Sequence, residues 1–143
     1  MLIHPVVERL RALGLAAMAD AFIVHRQHLY VADEAGDAVK IFEIKSGRFV
    51  VRITAKKLTR PVHLILHGDT FYIGAAGTGS ILAYDIPKRA PRGKLRARKV
   101  IDGKLKAPSG FAIGPDGDLY VAERLNQRVR RFSSKGEEQE DLH

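Results

Sequence analysis

An all-β fold is what the 143-residue sequence predicts: a partial propeller of about three four-stranded blades, preceded by one short N-terminal α-helix. Three times an aromatic is followed 12 residues later by a second, as Tyr30 and Phe42, Tyr72 and Tyr84, Tyr120 and Phe132. The leading aromatics sit in matching apolar runs, Leu29-Tyr30-Val31-Ala32, Phe71-Tyr72-Ile73-Gly74 and Leu119-Tyr120-Val121-Ala122. A β-branched aliphatic follows each of them by nine residues, at Val39, Ile81 and Val129. The period is 42 residues between the first two units and 48 between the next two, in the range of propeller blades.

The helix is read over residues 4 to 20, where Val6, Leu10, Leu13 and Ala17 recur at helical spacing and Pro5 suits a first turn. Short strands begin at residue 21. Phe22 to Val24, Leu29 to Ala32, Val39 to Ile44 and Phe49 to Ile53 form the first unit, with polar, Gly-containing connections at residues 34–37 and 46–47. Val62 to Leu66, Phe71 to Gly74, Ile81 to Asp85 and a less apolar run near Leu95 to Ile101 form the second. The third has Phe111 to Ile113, Leu119 to Ala122 and Val129 to Phe132, with a turn at Gly114-Pro115-Asp116-Gly117. Its fourth strand is missing before the acidic tail. The resulting divisions are 1–20 for the helix, 21–60, 61–107 and 108–136 for the blades, and 137–143 for the tail. All six paired aromatics are expected to be core, filling the wedges between blades.

The third unit carries a family resemblance. Residues 108–132, with Leu119-Tyr120-Val121-Ala122, the acidic Glu123 and the step Asn126-Gln127-Arg128-Val129, resemble an NHL repeat almost end to end. The first unit keeps Asp33 and Val39 but has Gly36 in place of Asn, and the second departs further at Ala75 and Thr78. Across residues 21–136 the resemblance implies a propeller of radially arranged blades, in a family whose rings have six. Residues 4–22 resemble the N-terminal helix of the helper ATPases of insertion-sequence transposition, but no Gly-Lys-Ser/Thr tripeptide of a phosphate-cradling loop occurs, so no ATPase function is carried over.

Composition narrows the function classes. The absence of cysteine excludes disulfides, thiolate zinc sites and cysteine nucleophiles. No apolar run approaches the ~20 residues that span a bilayer, and Glu8, Arg9 and Arg11 interrupt the start, so the expectation is a cytoplasmic chain without membrane contact. The net charge is +8 although Glu137, Glu138, Glu140 and Asp141 crowd the end, which leaves the body more basic still and suited to polyanions.

Nine Lys and Arg fall within positions 88–106. Lys88, Arg89, Arg92, Lys94, Arg96, Arg98 and Lys99 are the candidate nucleic-acid or polyanion-binding residues, set against a simple solvated edge because no aromatics for base stacking are interleaved. Arg124, Arg128, Arg130 and Arg131 make a second basic group. His63 is expected to face the central channel, where related propellers place metal ligands, but one His per chain is too few for a catalytic zinc site. Asp33 and Glu123 occupy one repeat position and so belong to separate blades, each serving its own turn rather than acting as an acid–base pair. The glycine-rich stretch 74–79 lacks the strand-to-helix context of a phosphate loop. No catalytic residue, metal or cofactor is predicted.

Propellers close with about 4 to 8 blades. Three blades leave open faces and edges, so self-association to complete a ring is expected, with membership of a longer propeller or cover of an open face by the N-terminal helix as the alternatives. The function read from these residues is a binding scaffold for macromolecules, chiefly protein. Nucleic-acid binding through residues 88–106 and a metal-dependent lyase or lactonase are the alternatives.

Overall fold

Period-2 alternation in the short apolar runs gives strands that bury one or both faces. The computed structural model describes residues 21–89, 91–92, 95–103, 105, 108–123 and 125–139. The helix expected over residues 4–20, Lys94 and the last four residues lie outside that set. Among the described residues the fold is all-β and contains no helix.

The first blade holds β1 (Phe22–His25), β2 (His28–Asp33), β3 (Ala38–Glu43) and β4 (Phe49–Thr54), each antiparallel to the next. The second holds β5 (Pro61–His67), β6 (Thr70–Ala75) and β7 (Ser80–Asp85). Where the sequence predicts one fourth strand over Leu95 to Ile101, the structure has two. β8 (Leu95–Arg96) pairs parallel with β4 of the first blade, and β9 (Arg98–Ile101) pairs antiparallel with β7 as the second blade's outer strand. The segment therefore ties the two blades together along their outer edges. A parallel partner so distant in sequence leaves no mark in local periodicity.

β10 (Pro108–Ile113), β11 (Leu119–Glu123) and β12 (Arg128–Phe132) form the third blade as a three-stranded sheet. Beyond it the chain turns back. Phe132 bridges Glu138, Ser133 N–H donates to the Glu137 carbonyl and Gln139 N–H to the Arg131 carbonyl. The start of the acidic tail thus lies along β12, where a fourth strand would pair.

The register explains the 12-residue spacing. Tyr30 pairs with Ile41 and Leu29 with Phe42; Tyr72 with Ala83 and Phe71 with Tyr84; Tyr120 with Arg131 and Leu119 with Phe132. Directly opposed residues share a sheet face and neighbours along a strand do not, so the two aromatics of each pair point to opposite faces. Tyr30 joins Phe71 and Tyr84 in the core between the first and second blades, with ring centroids 5.0 Å apart for Tyr30 and Phe71 and 5.4 Å for Phe71 and Tyr84. Tyr72 joins Phe111 and Phe132 between the second and third. Each such buried ring contributes about 2–3 kcal/mol of transfer free energy.

Leu29, Val31 and Phe42 form a smaller buried cluster on the first blade's other face, with Phe42 edge-on to Phe49 at 5.7 Å. Five of the six aromatics are buried, and Tyr120 is the exception. Tyr120 is half-buried, because no described blade follows the third to cover it.

Candidate functional site

The structure divides the basic run by location. Lys88 and Arg89 leave β7 and border a cleft shared with the β1–β2 turn, whereas Arg96 and Lys99 border a separate cleft with Thr54, Lys56 and Lys57 at the end of β4. Arg98 belongs to neither. Its Nε donates to Asp85 Oδ2 at 2.9 Å, and Thr70 Oγ1 donates to Asp85 Oδ1 at 2.7 Å. These bonds hold the Asp85 carboxyl below the usual carboxylate range. Lys99 meets Asp102 at 3.3 Å and Lys57 reaches the same carboxylate at 3.7 Å. Lys88, Arg89, Arg92 and Arg96 are exposed and form no ion pair among the described residues. The described cations of this stretch divide between two small clefts and a structural bridge, and Arg92 borders neither cleft.

The described members of the second basic group are neutralised by nearby carboxylates. Arg128 Nε donates to Glu123 Oε1 at 2.9 Å, Arg130 forks onto Glu138 at 2.7 and 2.8 Å, and Arg131 meets Asp118 at 2.7 Å and Asp116 at 3.0 Å. A base paired with the repeat acid in the first and third blades is a feature that sequence reasoning missed. Asp33 meets Lys40 at 3.1 Å and Glu123 meets Arg130 at 3.5 Å, both seven residues on, and the middle blade has Ala75 and Leu82 at those places. That spacing was available in the repeat alignment. Asp33 Oδ1 also accepts the Gly36 N–H at 3.0 Å, the turn-holding role expected of it.

His63 lies on β5, which sits at one end of its sheet, and its ring meets Phe111 of β10 edge-on at 5.1 Å. Gly74 of β6 leaves room for the Phe111 ring, where a β-carbon would come within 3.1 Å of it, and a cleft of about 160 Å³ lies beside them. No group of three or more His, Asp or Glu side chains able to hold a metal occurs among the described residues. In the glycine-rich stretch, Ala76 N–H donates to the Arg60 carbonyl and Gly77 N–H to the Thr59 carbonyl, so its amides fasten one blade to the next connection. Burial pushes the Tyr30 hydroxyl up to about 12 and raises Tyr84 above the ordinary phenol range.

The outward face of the third blade differs from its equivalents. Val39 is 0% exposed, Ile81 1% and Val129 49%, although the three occupy one repeat position. Leu125 beside it is 71% exposed, and Tyr120 lies on the same face with Arg131 over its ring at 5.8 Å. No described helix is long and apolar enough to cross a membrane.

Comparison with known proteins agrees with this architecture. Residues 105–132 match the NHL repeat family model. Teneurin-1 of Homo sapiens is 30% identical over 115 residues, covering 80% of this chain, and the chain spans only 4% of that relative's length. Among solved structures, virginiamycin B lyase from Staphylococcus aureus superposes with a TM-score of 0.64 at 15% identity, over 85% of this chain and 40% of the lyase. A chain of a nidogen–laminin complex gives 0.62 at 20% identity, over 86% of this chain and 46% of that one. At such identities the solved structures establish fold alone. Residues 105–132 thus carry an NHL repeat within a propeller-like fold that is equivalent in extent to less than half of either structure.

Proposed function

We propose that this propeller segment works as a scaffold for macromolecular, chiefly protein, interaction, and that the outward face of the third blade docks a second copy of the chain. The exposure of Val129 carries the reading, since the same repeat position is sealed by the following blade in the other two. Apolar side chains lining a sheet face of this kind favour burial against a partner. The likeness to a nidogen–laminin complex chain supports protein as the class of partner, as an analogy of fold.

The face is also chemically prepared for contact. Arg131 is neutralised by Asp116 and Asp118, so docking there leaves no unpaired cation behind. Replacing Val129 and Leu125 together by Glu should abolish association in light scattering while leaving the far-ultraviolet spectrum of the strands intact. Association that persists in that variant would remove this face from the account.

A further inference from the structure

The cleft beside the β1–β2 turn has a volume of about 610 Å³, in the range of ligand sites. Its floor is apolar, with Ile86, Pro87 and Pro91 beside the buried Tyr30 ring. Its rim is basic, with Arg26 from the first blade and Lys88 and Arg89 from the second.

Arg26 stands in an unfavourable place. The turns His25-Arg26-Gln27-His28 and His67-Gly68-Asp69-Thr70 are equivalents in successive blades. Gly68 has φ +64°, the left-handed conformation that glycine adopts without steric cost, and Arg26 has φ +55° at the matching position. A side chain kept at the expense of backbone strain points to a use for that side chain.

The walls are fixed to one another. His25 Nε2 and Asp69 Oδ1 are 2.8 Å apart, Arg26 Nη2 lies 4.0 Å from the same oxygen, and Ile86 N–H donates to the Asp69 carbonyl at 2.7 Å. Asp69 thereby holds the two blades together and offsets one positive charge. Lys88 also feels the Asp69 carboxylate, but that single carboxylate faces Arg26, Lys88 and Arg89 together, which leaves the rim with more cation than carboxylate.

We infer that this cleft binds an acidic peptide segment of a partner protein, its carboxylates on Arg26, Lys88 and Arg89 and an apolar side chain on the floor of Ile86 and Pro87. Guanidinium groups match carboxylates in geometry as well as charge. A nucleic acid would need a continuous track of cations and rings free to stack. Neither is present among the described residues at this cleft: Arg98 is committed to Asp85, Arg96 borders the other cleft, and Tyr30 is buried against Phe71. The inference rests on the scaffold reading but not on its assembly, because the cleft lies wholly within the first two blades.

Fluorescence anisotropy with a labelled peptide of alternating Glu and Leu tests it, alongside a labelled thymidine oligonucleotide of equal charge. The peptide should bind more tightly than the oligonucleotide. Arg26→Gly should weaken peptide binding by about tenfold. Its melting temperature should hold or rise, since glycine suits that turn, so the loss cannot come from unfolding. Lys88→Gln with Arg89→Gln should act likewise, and Arg96→Gln in the other cleft should change nothing. Unaltered affinity in Arg26→Gly, tighter binding of the oligonucleotide, or no binding of the peptide would each overturn the inference. A chain that dimerises without taking the peptide refutes this site alone, and a monomer that takes it refutes only the docking face.

Discussion

Glu123 and Arg130 face the second blade with side chains 0% and 9% exposed, an ion pair taken almost wholly out of water. Removing one partner of such a pair strands the other, which costs about 2–3 kcal/mol when, as here, Glu138 still holds the arginine. Glu123→Ala should therefore lower unfolding free energy by that amount in urea titration. The middle blade shows what an apolar replacement looks like, with Ala75 and Leu82 at the same two places. Combining Glu123→Ala with Arg130→Leu should recover most of the loss, and a double variant less stable than the single one would contradict this. Acid tests the exposed side of the same network. Bonding to Arg130 holds the Glu138 carboxyl below its usual range. A lowered folded-state value stabilises fully above the ordinary carboxylate range and is lost as pH falls through it, so the melting temperature should drop below about pH 4. Glu138→Gln should flatten that drop. Sequence reasoning placed Asp33 and Glu123 correctly on separate blades, yet it left Arg130 in a second basic group without a carboxylate partner. Charge alone does not tell a solvated arginine from a paired one.

At the scale of the element, the blades are held by rings that reach across them. Phe71 contacts both Tyr30 and Tyr84, and Phe71→Ala should cost about 3–5 kcal/mol of stability in the same titration. The last turn adds a second fastening. Gly136 has φ +87°, and a β-carbon there would run into the Val100 carbonyl of β9. Gly136→Ala should cost about 2 kcal/mol through strain and displacement together. Strand positions were legible because alternation and aromatic spacing are local signals, and they matched to within a few residues. The division of residues 95–101 between two blades was not legible, since Leu95 pairs with Ile53 through a long-range contact. The basic run lost its unity for the same reason. Its residues turn from one side of the molecule to another as the chain changes sheets.

For the whole molecule, the repeat that predicted blades also predicted a shortfall. Three sheets stack through two apolar cores, and the third presents Val129, Leu125 and the Tyr120 ring outward. Residues 1–20, where the helix is expected, and residues 140–143 of the tail division 137–143 lie outside the described residues. In the proposed reading, charge modulates what binds and the open face governs assembly. The central claim is that this face brings copies of the chain together. Sedimentation equilibrium at micromolar concentration tests it most directly: the account predicts a mass of two chains, and the mass of one chain across that range would contradict it.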